Sequence, residues 1–158
     1  MVVNYNGLKE LQNKLRSAVN VKSTSVALVV RKNLMAVEEK LNNISMEIEE
    51  KQLVLLEKHA AERSEIDVVN EKMDALHNAL RDKSGQVNEE TFNNSMEAIL
   101  AAHPSVRPFF DENKELIDGI LNSEMILDDM DKFTVGSLPD NLSVNDLFVL
   151  GFLIEDLD

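Results

Sequence analysis

A long run of regularly spaced apolar residues between positions 27 and 55 constrains this chain more than any other feature. Apolar or small side chains recur three or four positions apart, with one seven-residue step, at Ala27, Val30, Leu34, Val37, Leu41, Ile44, Ile48 and Leu55. Spacing that averages 3.5 residues keeps one stripe of an α-helix facing a partner along its length. No glycine or proline occurs between Ser25 and Glu57. We therefore predict one helix over residues 25–58, about 50 Å long.

A helix with this seam must bury it, because each leucine or isoleucine left in water forgoes about 1.5–3 kcal/mol of stabilisation. Two arrangements would bury the seam: an intramolecular helical hairpin or bundle, and a homo-oligomeric coiled coil. Val26, Leu28 and Val29 widen the apolar face at the N-terminal end of the helix. A wider face favours packing into a domain at that end over a two-stranded coiled coil.

A second apolar seam follows the first and predicts a helix over residues 65–82. Its members are Ile66, Val69, Met73, Leu76 and Leu80. The phase of the pattern changes between the two seams, and Ser64 with Asp67 resembles a capping box, which marks the start of a helix. We therefore predict a turn near residues 59–64 and an antiparallel pair of helices. One continuous helix through this region is the alternative.

The remaining segments complete a mainly α fold. Residues 1–6 are typical of a short strand or irregular lead-in, and a short helix follows. Helices over residues 89–102 and 108–122 then complete a helical domain of residues 1–122. Residues 123–158 are predicted to form an acidic C-terminal arm, with a small extended or β-hairpin element and a terminal helix opened by Ser143. The predicted fold class is a long helical hairpin or coiled-coil-like bundle with this small C-terminal addition.

Charge is abundant and unevenly distributed along the 158 residues, whose formal net charge is −13. Residues 1–35 carry six basic side chains and one acidic side chain, a net of +5, whereas residues 111–158 carry two basic and thirteen acidic ones, a net of −11. An acidic chain is repelled by phosphate backbones, and aromatic stacking residues are scarce. We therefore expect no direct binding of nucleic acid. The basic head and the acidic tail could attract each other within one chain or between chains.

Several classes of protein are disfavoured by what the sequence lacks. There is no cysteine, which excludes disulfides and thiolate chemistry. No apolar run is long enough to predict a membrane-spanning helix, and the first 17 residues are too polar for a secretory signal. We therefore expect no association with a membrane.

The sequence also contains no recognisable catalytic, cofactor-binding or metal-binding motif. The most metal-like feature is the cluster of Asp128, Asp129 and Asp131, but it lacks the glycine and the closing glutamate of a calcium loop at the required spacing. The three histidines are too widely spaced for a zinc motif. We therefore expect no enzymatic activity, no cofactor and no metal, and we interpret the aspartate cluster as a solvated acidic turn.

Five segments, which together with their neighbours cover about half of the chain, carry a resemblance to a known group of proteins. They are Asn6–Leu11, Arg31–Leu34, Glu38–Leu41, Leu55–Lys58 and Leu138–Ser143. In this order they resemble segments of small helical proteins encoded by tailed bacteriophages, whereas residues 59–85 depart from that pattern. The resemblance implies a location in the bacterial host cytoplasm or the virion, and it implies no catalytic residues.

These features favour a non-enzymatic protein-interaction protein, such as a bacteriophage structural, assembly or accessory component that docks through helical seams. Its partner would be another protein or a second copy of the chain. The predicted contact residues are Leu34, Leu41, Ile44, Ile48 and Leu55 on the seam, and Asp128, Asp129 and Asp131 in the arm. The alternative hypothesis is an acidic inhibitor of a host protein, of the anti-defence or nucleic-acid-mimic type, whose binding would weaken steeply with salt.

Overall fold

The computed structural model describes residues 2–21, 23–81, 86–127, 130–139 and 142–155. Within them the chain is mainly α-helical and has a small antiparallel sheet, which confirms the predicted fold class. The chain folds into two compact units. The first unit is Met1–Glu47 with Gly119–Asp158, and the second is Ile48–Asp118. The predicted domain boundary after residue 122 stays a prediction.

Six α-helices and two short strands are found in the described residues. In chain order they are β1 (Val2–Val3), α1 (Tyr5–Ala18), α2 (Thr24–Lys58), α3 (Arg63–Leu80), α4 (Glu89–Ala102), α5 (Arg107–Asn122), β2 (Met125–Ile126) and α6 (Val144–Leu150). Helix α2 begins one residue before its predicted start and ends where predicted, and α4 has the predicted bounds. The predicted turn after α2 is also confirmed, because His59 leaves the helical region and a 3₁₀ turn, Ala60–Glu62, follows it.

Helix α3 differs from its prediction, since it runs from Arg63 to Leu80 rather than over residues 65–82. The 3₁₀ turn leads directly into helical backbone at Arg63, so Ser64 is inside the helix and does not cap it. At the other end, Arg81 has extended backbone, with φ −70° and ψ 122°, and forms an isolated bridge with Val87. The capping-box prediction was therefore wrong, because a neighbouring turn supplied the helical start.

The first unit is built on α1 and the N-terminal part of α2. The Asn4 side chain caps α1 by accepting a hydrogen bond from the Gly7 N–H at 3.0 Å. Leu8 and Leu15 on α1 are fully buried, as are Val30 and Val37 on α2. Strands β1 and β2 pair antiparallel, with Val2 opposite Ile126 and Val3 opposite Met125. The C-terminal extended element is thus present, and its partner is the N-terminal strand rather than a second strand of a local hairpin.

The second unit has an apolar core of its own. Its buried members come from the end of α2, from α3 and α4, from the turn between α4 and α5, and from the start of α5; they are Leu55, Ile66, Val69, Leu100, Val106 and Phe109. Pro104–Val106 forms a short 3₁₀ turn that joins α4 to α5. Of the helices in the described part of the chain, none is both long and apolar enough to cross a membrane.

Candidate protein-interaction surfaces

The predicted contact residues on the seam are largely covered by the chain itself. Leu41 and Ile44 are each 6% exposed, and Leu55 is 7% exposed. Leu34 and Ile48 are half-buried. The burial of these side chains in a single copy favours the intramolecular arrangement over a coiled coil formed through this face. Their role in binding a partner stays a prediction, and the accessible surfaces lie elsewhere.

A second apolar stripe occupies the opposite side of α2. Its members, here called the outer stripe, are Leu28, Met35, Met46 and Leu53, which are 61–70% exposed. Successive residues of an α-helix turn by about 100°, so these four side chains project within about 20° of one another. The prediction that Leu28 widens the buried face was therefore wrong. The seven-residue steps from Leu28 to Met35 and from Met46 to Leu53 are the sequence signal for this stripe.

The acidic cluster is represented in the described residues by Asp131, because Asp128 and Asp129 lie outside them. The Asn33 side chain is 2% exposed, accepts a hydrogen bond from the Asp131 backbone N–H at 3.0 Å and donates one to its carbonyl at 2.9 Å. The Lys32 ammonium lies 2.7 Å from the Asp131 carboxylate. Asp131 therefore anchors its segment to α2. Among the described residues, no group of three or more histidine or acidic side chains is placed to hold a metal ion.

Helix α6 is short but firmly positioned. Ser143 and Asp146 form a capping box, in which the Asp146 N–H donates to Ser143 Oγ at 3.1 Å and the Ser143 N–H donates to the Asp146 carboxylate at 3.0 Å. Leu150, and Leu153 in the following 3₁₀ turn, are fully buried. These contacts anchor one side of α6 in the first unit.

The other side of α6 is apolar and open to solvent. Val144 is 84% exposed, Phe148 is 86% exposed and Leu147 is 38% exposed. Residues three and four apart are neighbours on a helix, so the three side chains form one continuous surface, here called the α6 patch. Exposed aromatic and aliphatic clusters of this kind often mark sites of protein–protein contact.

A cleft adjoins the α6 patch within the first unit. Its volume is about 330 Å³, and it is lined by Lys14 and Ser17 of α1 and by Phe148, Val149 and Phe152. The Lys14 ammonium lies 6.0 Å from the centre of the Phe152 ring. The lining of the cleft thus combines apolar side chains with the Lys14 cation.

The second unit contains a compact network of polar side chains. His103 Nδ1 lies 2.9 Å from the Glu65 carboxylate, and its Nε2 lies 2.7 Å from the Lys72 ammonium. An ammonium group only donates, so the tautomer with its proton on Nδ1 satisfies both contacts. The Ser105 hydroxyl donates to the other Glu65 oxygen. These hydrogen bonds, from Ser105 first and then His103, lower the pKa of Glu65.

This network connects α3 to the α4–α5 turn and lacks the geometry of a nucleophilic site. A catalytic serine needs its hydroxyl hydrogen-bonded to the imidazole that removes its proton. Here the Ser105 hydroxyl is bonded to the carboxylate instead, and both imidazole nitrogens are already in contact with other groups. The arrangement supports a structural role.

A second pair of charged groups lies near the end of α2. The Lys58 ammonium is 2.6 Å from the Glu112 carboxylate, and its hydrogen bond lowers the pKa of Glu112. His59 packs edge-on against Phe109, with ring centres 5.7 Å apart, and its Nε2 is 3.6 Å from Glu112. These contacts secure the helix end where the chain turns toward α3.

No protein-family model matches this chain, and comparisons with curated proteins and with solved structures find no match.

Proposed function

We propose that this chain is a non-enzymatic protein-interaction protein that binds another protein through the α6 patch. The observation that carries the proposal is the exposure of Val144 and Phe148, at 84% and 86%, on a helix that is anchored by its own buried Leu150 and by Leu153 in the following 3₁₀ turn. The patch lies in the predicted C-terminal arm, which also contains the predicted contact residues Asp128, Asp129 and Asp131.

The energetics of the patch favour a partner. Complete burial of a valine or phenylalanine side chain is worth about 1.5–3 kcal/mol, and Phe148 and Val144 leave most of that free energy unused in the isolated chain. The capping box and the buried Leu150 fix α6 before binding, which reduces the entropy lost on association. A partner would thus meet a preformed apolar surface.

The proposed biological setting is a tailed bacteriophage. It is supported by the sequence resemblance described above, in which Leu138–Ser143 leads directly into α6. In that setting the chain would be a virion structural or assembly component, or an accessory protein acting in the host cytoplasm.

Affinity capture from phage-infected host cells tests the proposal. Wild type, Phe148→Ser and Val68→Ser would be used as baits, because Val68 is an exposed apolar residue, 41% accessible, on α3. We expect wild type and Val68→Ser to retain the same partner, and Phe148→Ser to lose most of it. Retention of that partner by a correctly folded Phe148→Ser variant would contradict the proposal.

The salt dependence of binding separates this proposal from the acidic-inhibitor alternative. Apolar contact through the α6 patch is expected to change little as salt rises from low to physiological concentration. Charge mimicry depends on exposed carboxylates, whose attraction is screened over that range. A steep loss of affinity with salt would favour the inhibitor hypothesis instead.

A further inference from the structure

The order of residue types in the outer stripe of α2 is symmetric: leucine, methionine, methionine, leucine. Leu28 and Leu53 are equally distant from the midpoint between residues 40 and 41, and so are Met35 and Met46. All four are exposed, in a helix that runs without interruption from Thr24 to Lys58. From this symmetry we infer that two copies of the chain pair antiparallel through the outer faces of their α2 helices, forming a two-fold dimer. The stripe residues that carry this inference all lie on α2, and none of them belongs to the α6 patch.

The spacing of the stripe fits antiparallel coiled-coil packing. Leu28 and Met35 occupy one of the two core positions of a heptad, and Met46 and Leu53 occupy the other. In an antiparallel pair the two kinds of position face each other. Leu28 of one copy therefore meets Leu53 of the second, and Met35 meets Met46. The two-fold axis repeats each contact, which makes the interface self-complementary.

The charges beside the stripe have the same symmetry and select the antiparallel direction. About the same midpoint, Lys32 of one copy lies level with Glu49 of the second copy, and Arg31 lies level with Glu50. All four side chains are on the exposed part of α2, although Lys32 also contacts Asp131 within its own chain. A parallel pair in register would instead place Arg31 against Arg31 and Glu49 against Glu49.

The centre of the interface is polar. Glu39 of one copy would face Asn42 of the second, so the middle layers add little apolar contact. Polar core residues in coiled coils fix the register and reduce stability. We therefore expect a specific dimer that dissociates at low protein concentration.

Sedimentation equilibrium of the full chain over a concentration series tests the dimer. The matched pair is Leu53→Glu and Val54→Glu, because these neighbouring residues are 61% and 62% exposed but only Leu53 belongs to the stripe. We expect Leu53→Glu to weaken dimerisation about tenfold or more, and Val54→Glu to change it little. A monomeric wild type at all concentrations, or equal effects of the two substitutions, would overturn the inference.

Disulfide trapping tests whether the two α2 helices pair antiparallel. The sequence contains no cysteine, so only the introduced cysteines can form a disulfide. Leu28→Cys and Leu53→Cys chains would be oxidised separately and as a mixture. In the antiparallel dimer, two copies of position 28 are separated by about 37 Å along the helices, whereas positions 28 and 53 meet. We expect a crosslinked dimer only in the mixture. Crosslinking of either variant with itself would show a parallel pair and contradict the inference.

Discussion

The substitution Asn33→Ala tests how the chain holds its C-terminal segment on α2. The amide of Asn33 pairs with both the N–H and the C=O of Asp131, at 3.0 and 2.9 Å, while itself being almost completely buried. Removing the amide leaves these two backbone groups without a partner. Each unpaired group destabilises the folded state by about 1–2 kcal/mol, because Asp131 is only half-buried. Alanine returns about 0.5 kcal/mol through its higher helix propensity. We expect a net loss of about 1.5–3.5 kcal/mol in the free energy of unfolding.

Urea unfolding can measure this loss in the first unit specifically. Tyr5 is the only tyrosine and there is no tryptophan, so tyrosine fluorescence reports on the unit that contains α1. The matched control is Lys32→Ala, which removes the exposed ion pair to the same Asp131 and should cost less than about 1 kcal/mol. Equal and small losses for the two variants would refute the assignment of the anchor to the buried amide.

Three further predictions concern the second unit and α6. Ile66→Ala should destabilise the second unit by about 2–5 kcal/mol, because Ile66 is fully buried in its core. Val68→Ala, on the exposed side of α3, should destabilise it little. Urea unfolding followed by circular dichroism would measure both variants. Ser143→Ala should weaken the α6 cap by about 1 kcal/mol and increase amide hydrogen exchange in residues 144–150. Hydrogen bonds hold the pKa of Glu65 below its ordinary value of 4.5. The ionised Glu65 therefore contributes its full stabilisation of the fold above pH 4.5, and this stabilisation is lost as the pH falls through the lowered pKa. Glu65→Gln should therefore flatten the acid-side loss of stability, and an unchanged pH profile would contradict this role.

The helices could be predicted because their signals are local. Apolar spacing and terminal residues place α2 and α4 within one residue of their observed bounds, since each turn of a helix is specified by neighbours three and four positions away. The start of α3 was misplaced because the preceding 3₁₀ turn, rather than Ser64, begins it.

The long-range contacts could not be predicted from spacing. The Asn33 amide and Asp131 are 98 positions apart, and β1 pairs with β2, which follows α5 in the sequence. A two-residue strand carries no pattern that identifies its partner, and an asparagine within a helix usually faces water.

The exposure of the α6 patch could not be predicted from the sequence, for a different reason. Val144 and Phe148 could be predicted to lie on a helix, but apolar side chains are normally expected to face the interior. Only the structure shows that Leu150 and Leu153 fill the interior here and leave Phe148 outside. The same reasoning applies to α2, where the denser seam is buried and the sparser outer stripe is exposed.

Site-specific photo-crosslinking at position 148 is the most direct test of protein binding through the α6 patch. A benzophenone amino acid would replace Phe148, preserving an aromatic side chain, and the same amino acid at position 68 would serve as the control in infected cells. We predict one discrete adduct to a different protein from position 148 and none of that mass from position 68. The absence of any adduct at position 148, or identical adducts from both positions, would contradict the assignment of this surface to partner binding.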